Sequence, residues 1–156
     1  MGPQLMAAIK LLSADQAALR EILVQVGRET GAYAVLDTEA DESFDVTIGP
    51  DLAIEVLDVP EVQWKEDVED GPLEEAKWLV QSAEKRRQHL WRLTAQLASR
   101  QAAWLGGRAD APLAIDRAEL AQALGVHAST VSRLLQNKRV KHERGEGPLD
   151  SLLGKS

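Results

Sequence analysis

Apolar positions recur along this chain with a helical period at both ends and alternate only in the middle. Leu5, Ile9 and Leu12 fall at i, i+4 and i+7, which predicts one stripe of a short helix. Ser13 and Gln16 have the spacing of a capping box, in which each side chain can satisfy a free amide where the next helix starts. Leu19, Ile22, Leu23 and Val26 then share a face, with Gly27 as the stop. A helical hairpin this small cannot bury both of its faces, so it either packs on the rest of the chain or waits for a partner. Further on, Phe44, Val46 and Ile48 alternate, Gly49-Pro50-Asp51 turns the chain, and Leu52, Ile54 and Val56 alternate again. That pattern predicts a β-hairpin, which is marginal without a surface to lie on. Residues 58–71 are acidic, carry Pro60 and Gly71, and read as loop.

Pro72 suits the first position of a helix, and Glu74 and Glu75 follow where the dipole favours negative charge. From there to Leu105 no Gly or Pro intervenes. Ala76, Leu79, Val80, Ala83, Leu90, Leu93, Leu97 and Trp104 keep an approximate helical period, while Lys85, Arg86, Arg87, Arg92 and Arg100 coat another face. The pattern predicts one long helix, or two with a kink at Gln88–His89, ended by Gly106-Gly107. Asp116 and Glu119 then have capping-box spacing ahead of RAELAQALGVHASTVSRLLQ. With Gly125 as the turn glycine, Ala121 falls where two helices cross closely. Leu120, Leu124, Val126, Val131 and Leu134 fall where side chains must be buried between them. This is the pattern of a helix-turn-helix, in which the glycine takes the positive φ of the tight turn. The fold class expected is mainly α: an N-terminal helical hairpin over 1–36, an acidic linker region with a β-hairpin over 37–71, a long-helix subdomain over 72–107, and a helix-turn-helix subdomain over 108–156.

Charge divides the chain. Residues 1–75 hold four Lys/Arg and 18 Asp/Glu, a balance of -14, whereas residues 76–156 hold 14 Lys/Arg and seven Asp/Glu, a balance of +7. Asp37, Glu39, Asp41, Glu42 and Asp45 make an acidic stretch that reads as a mobile linker. The basic half is where a nucleic-acid or acidic-protein contact is expected. The second helix of the motif would expose His127, Ser129, Ser132, Arg133 and Gln136, followed by Lys138, Arg139 and Lys141. Serine, arginine and glutamine can read base edges in a major groove, and trailing cations can hold phosphate. Helix-turn-helix units also serve as protein-interaction modules, and an Arg-rich helix end can simply favour its own dipole.

Enzyme chemistry finds no constellation. There is no cysteine, hence no thiol nucleophile, disulfide or thiolate metal site. His89, His127 and His142 lack ligand spacing with nearby carboxylates, and the glycines do not form a phosphate loop. Trp78, Trp91 and Trp104 recur every 13 residues, a step that does not make one helical stripe, so Trp78 and Trp104 read as core anchors. No cofactor is expected. No apolar run is long enough to span a membrane and no signal pattern opens the chain, so a cytoplasmic location and no membrane partner are expected.

The run G-V-H-A-S-T-V-S-R at 125–133, followed by Asn137-Lys138, resembles the bacterial sigma-54 (sigma-N) family of RNA polymerase factors. Ala76-Lys77-Trp78-Leu79-Val80 with Glu84 to Arg87 looks like that family's tryptophan-containing helix and its Arg-rich end. Arg100-Gln101 and Trp104-Leu105 look like its Arg-Gln and paired bulky residues. Pro3-Gln4-Leu5 and Ala8 to Ser13 look like its region I, the segment that engages the activator. Ala128 stands where the family usually has glutamate, Arg139 where it has tyrosine, and the glutamines of region I are few. On this resemblance the chain reads as region I plus the core-binding region without the C-terminal RpoN-box domain, as in a truncated modulator of a full-length factor. The resemblance implies three partners. Core RNA polymerase would be met through its β and β′ subunits by residues 76–105, with Trp78, Lys85, Arg86, Arg87, Arg92 and Arg100 as contacts. Promoter DNA would be met by the helix-turn-helix, and an AAA+ activator by Leu5, Ile9 and Leu12. A free-standing helix-turn-helix regulator and a protein-only adaptor stay open beside the sigma-like reading.

Overall fold

The computed structural model describes residues 3–36 and 43–154, with side chains from residue 7 onward. Helices α1 (Pro3–Ser13) and α2 (Gln16–Thr30) form the N-terminal hairpin, and strands β1 (Tyr33–Val35), β2 (Val46–Ile48), β3 (Ile54–Val56) and β4 (Val62–Trp64) follow. The long helix α3 (Asp70–Arg100) leads through the single turn α4 (Ala102–Leu105) to α5 (Arg117–Leu124) and α6 (Ala128–Leu135). Strands β5 (Arg139–His142) and β6 (Gly145–Pro148) and a 3-10 turn at Leu149–Leu153 complete the described chain. The expected mainly α class is the observed one. Among the described residues no helix is long and apolar enough to cross a membrane.

Helix α3 is the spine. Its N-terminal half gives Ala76, Leu79 and Ala83 to a core shared with Leu11, Leu19, Leu23 and Tyr33. Its C-terminal half gives Leu90, Leu93, Leu97 and Ala98 to a second core shared with Leu120, Leu124, Val131, Leu134, Val140 and Leu149. The helix runs unbroken past Gln88–His89, so of the two expected forms the single long helix is the observed one. It breaks at Gln101, whose buried amide donates to the carbonyls of Leu113 (2.7 Å) and Leu152 (2.8 Å) while its carbonyl accepts from the Leu113 N–H (2.8 Å). The N-terminal hairpin thus packs on the body of the protein, against α3, and does not stand apart.

The middle of the chain departs most from expectation. The predicted hairpin exists, with Val46 opposite Val56 and Ile48 opposite Ile54. Its strand β2 also pairs in parallel with β5, so the four-stranded order is β3-β2-β5-β6. The acidic half and the basic half therefore share one sheet. Residues 58–71 are not all loop: β4 pairs antiparallel with β1, and α3 begins at Asp70, two residues before Pro72. A proline in the first turn is tolerated because its missing N–H would have had no intrahelical partner. The predicted acidic linker lies partly at 37–42, outside the described residues, but Asp45 is buried and structural.

Two helix boundaries also move. Asp15, not Ser13, caps α2, its carboxylate accepting from the Ala18 N–H at 2.8 Å; the Ser13 hydroxyl instead donates to the Ile9 carbonyl. Helix α2 runs through Gly27 and stops at Gly31, which takes φ 65°. Gly27 serves packing: a Cβ there would lie 2.9 Å from the Tyr33 carbonyl oxygen and 3.0 Å from its ring. An unobstructed helical glycine gains about 1 kcal/mol on replacement by alanine. Here Gly27→Ala is expected to destabilise the protein by about 1–3 kcal/mol through overpacking, as read from urea unfolding of the two proteins side by side.

Candidate nucleic-acid interface and the junction behind it

The helix-turn-helix is formed as the pattern of the chain requires. The Asp116 carboxylate caps α5 by accepting from the Ala118 N–H at 2.8 Å. Gly125 ends α5 at φ 68°, a left-handed conformation that most side chains disfavour. Leu120, Ala121, Leu124, Val131 and Leu134 are buried, and Val126 is half-buried against the same core. Helix α6 has no side-chain cap at His127. Arg92 of α3 donates to the Leu124 carbonyl at 3.0 Å, so this cation holds the end of α5.

The residues predicted to face DNA divide. His127, Ser129, Gln136 and Arg139 are exposed, and Ser132 and Arg133 are half-buried. Arg117 donates to the Ser132 hydroxyl at 3.3 Å, and Arg139 pairs with Glu146 at 3.8 Å. Lys138 does not belong to this surface. Only 1% exposed, its ammonium donates to the Leu12 carbonyl at 2.7 Å and the Gln136 carbonyl at 3.0 Å. A side chain so enclosed cannot hold phosphate, and its predicted DNA role is replaced by a structural one.

The predicted polymerase-facing set divides in the same way. Lys85 is exposed, Arg92 exposed but engaged, Arg100 half-buried, and Trp78 half-buried against the N-terminal core. Arg87 pairs with Asp58 at 3.1 Å and Glu84 at 3.8 Å. Arg86 is 2% exposed and spends its donors inside, on the Leu11 carbonyl (2.9 Å) and the Ala14 carbonyl (2.7 Å). Like Lys138, it leaves the surface set because its guanidinium has no face turned to solvent. Of the predicted activator contacts, Ile9 and Leu12 are half-buried, Leu12 against the helix-turn-helix core, and the side chain of Leu5 lies outside the described residues. Leu11, beside the predicted stripe, is the position fully buried.

Arg86 and Lys138 meet where the two cores adjoin, at the end of α1. The Asn137 amide adds a bond to the Ser13 carbonyl at 2.9 Å. Asp45 faces the pair: one carboxylate oxygen accepts from the Gln16 N–H and the other from the Arg139 N–H, each at 2.8 Å. Burial raises the Asp45 pKa, against the pull of those two amides and of Lys138 and Arg86. Burial lowers that of Arg86, opposed by Asp45 and Asp15. Lys138 is pushed down to about 7, first by burial and then by Arg86, with Asp45 and Asp15 opposing. Sequence pattern misses this site because single charges beside a turn carry no periodicity. The one available signal is that Asp45 directly precedes the apolar strand residue Val46.

Residues 67–156 match the family model described as "Sigma-54, DNA binding domain". The chain belongs to the sigma-54 DNA-binding domain family. It is 40% identical over 75 residues to the RNA polymerase sigma-54 factor of Xanthomonas euvesicatoria, a stretch that covers 48% of this chain and 16% of that protein. It is 33% identical over 75 residues to the sigma-54 factor of Pseudomonas putida, covering 47% of this chain and 15% of that protein. The sigma-54 factor of Azotobacter vinelandii is likewise 33% identical over 75 residues, covering 47% and 14%. The matched stretch thus spans about one sixth of the length of these curated sigma-54 relatives, the 16% figure being the largest share. The match starts before α3 and takes in the spine helix, the helix-turn-helix and β5–β6 together, which supply the second core beside Val46, Ile48 and Val56 of β2 and β3.

The titration of Lys138 has a definite sign. Its folded pKa lies below the ordinary lysine value, so between about 7 and 10.5 the unfolded chain binds more protons. Stability therefore rises with pH across that window as the buried ammonium is relieved of its charge. Lys138→Met is expected to lose this rise, so that parent and variant Tm values diverge in slope between pH 7 and 9.5. Parallel slopes from calorimetry over that range would contradict the assignment.

Proposed function

We propose that this sigma-54 family chain is a transcription factor that binds core RNA polymerase, through the β and β′ subunits, and contacts promoter DNA through α5 and α6. The observation that carries the reading is the formed helix-turn-helix in a family described as DNA-binding, with Ser129, Ser132, Arg133 and Gln136 on or near the surface of α6. Each has donors or acceptors suited to base edges, and Arg133 has the fork that reads guanine. His127 and Arg139 flank that face as phosphate or backbone contacts. Exposed Lys85 and Arg92, with half-buried Trp78 and Arg100, are the polymerase-facing residues of α3, and Arg87 lies on another side of the helix. Such factors are not enzymes, and nothing in this reading needs a cofactor.

The predicted divisions then serve as functional segments that interlock in one fold. Residues 72–107 dock on polymerase, 108–156 contact DNA, 37–71 supply the strands that brace the sheet, and 1–36 present α1 to an AAA+ activator. The activator role rests on Ile9 and Leu12, and on Leu5 beyond the described side chains. The similar proteins of Xanthomonas euvesicatoria and Pseudomonas putida are RNA polymerase sigma-54 factors, and the polymerase partner is carried over from them.

The deciding measurement is gel filtration of the purified chain with bacterial core RNA polymerase at low and moderate salt. Co-elution that persists at moderate salt is expected. Failure to co-elute, with the chain running as a dimer that binds DNA, would replace this reading with a free-standing helix-turn-helix regulator, because such regulators read paired half-sites. Arg133→Ala is expected to weaken binding to the preferred duplex by about 1–3 kcal/mol and to relax base preference, measured by fluorescence anisotropy against matched and substituted sites.

A further inference from the structure

The sequence names Arg139 and Lys141 as trailing cations, but neither the hairpin that carries them nor Arg144 at its far end. Strand β5 is the interior neighbour of β2 and β6, so its position is fixed on both edges. Val140 points into the core while Arg139 and Lys141 on either side are exposed, as alternation along a strand demands. The hairpin begins four residues after α6 ends, through Asn137, which takes φ 59° and turns the chain back. A helix-turn-helix followed at once by a rigid two-stranded hairpin is the arrangement in which the hairpin can flank the recognition helix on a duplex.

The far end of the hairpin is built, not loose. The Arg144 guanidinium lies 5.5 Å from the centre of the Trp104 ring, and that ring meets His142 edge-on at 5.3 Å. The Arg144 N–H donates to His142 Nδ1 at 3.1 Å, which requires that nitrogen to be unprotonated. Burial and Arg144 itself lower the His142 pKa, in keeping with that bond. Lys141 sits 5.8 Å from the centre of the Phe44 ring. Aromatic faces lie against both cations, and both residues are exposed. Among the described residues neither Lys141 nor Arg144 is in an ion pair, whereas Arg139 on the same hairpin is paired with Glu146.

We propose that the β5–β6 hairpin is a second DNA-binding element, a wing beside α6, in which Lys141 and Arg144, shelved on Phe44 and Trp104, hold duplex phosphates. The inference rests on the reading that this chain binds DNA through its helix-turn-helix, and adds residues outside that motif. A single helix-turn-helix touches few phosphates and binds weakly by itself. Two further fixed cations would widen the footprint without adding sequence information.

The test is fluorescence anisotropy of the full chain with a labelled duplex of arbitrary sequence across a salt series, which isolates phosphate contacts. Lys141→Ala and Arg144→Ala are each expected to reduce the log–log salt slope by about one. The loss of affinity between 50 and 200 mM salt should accordingly shrink about threefold for each variant. Arg144→Lys keeps the charge and should keep the slope. Circular dichroism melting checks folding, and should Arg144→Ala melt early, Lys141→Ala, with its exposed side chain, decides alone. Parent binding with unchanged slopes in both alanine variants would overturn the wing while leaving the helix-turn-helix reading intact. No binding by the parent at low salt would overturn both.

Discussion

The end of helix α1 is the constraint on which the arrangement of the whole chain depends. A helix leaves its last carbonyls without intrahelical donors, and a buried end must find them elsewhere. Here Leu11 and Ala14 accept from Arg86, Leu12 from Lys138 and Ser13 from Asn137. Two of these donors are cations at the negative end of a helix dipole, the favoured sign. The two cations are in turn balanced by Asp45 and Asp15, which act on both of them. Taking two cations out of water is expensive, and the carbonyls and carboxylates gathered here are what offset that cost. The junction therefore ties the N-terminal hairpin, the spine helix and the exit from the helix-turn-helix to one another.

That coupling is reinforced through the backbone. Asp45 exchanges backbone bonds with Arg139 and with Leu57, while its carboxylate holds the amides of Gln16 and Arg139. One residue thus joins the start of α2, the β2–β3 hairpin and the start of β5. The parallel pairing of β2 with β5 needs a long crossover, and here it runs through β3, β4 and then α3 to α6. The helix-turn-helix is held between two strands of one sheet, so its orientation is set by the acidic middle of the chain as much as by its own turn. The end of α1 is bonded to residues just past α6, through carbonyls separated from their donors by 124 and 126 residues in sequence.

The legible parts of this fold were those with repetition. The helix-turn-helix follows from its buried positions and one left-handed glycine, and the β-hairpin at 46–56 from strict alternation. Strands β1, β4, β5 and β6 have three or four residues each, too few for a period to emerge, and β6 carries two glycines and a proline. Gly27 reads as a helix stop by type, yet here it is a contact residue, because Tyr33 packs against its bare Cα. Asp45 reads as one more carboxylate in an acidic run. Its difference from its neighbours lies in two amides contributed by residues 29 and 94 positions away, which no local pattern encodes. The candidate surface on α6 was legible because exposure follows from the same period that fixes burial.

Charge shows the same limit from another side. The basic half of the chain suggests a broad cationic face, but many of its cations are already committed. Arg86 and Lys138 are internal, Arg87 is held by Asp58 and Glu84, Arg92 caps α5, and Arg139 faces Glu146. An ion pair on the surface is worth little to stability, but it reduces what the cation can offer an approaching phosphate. Net charge therefore overstates the electrostatic footprint, and the useful quantity is the number of exposed cations without a protein partner. In such a molecule affinity for a polyanion depends on where a few cations are fixed. A side chain held on an aromatic ring loses less freedom on binding than one free in solvent, because its ordering has been completed during folding.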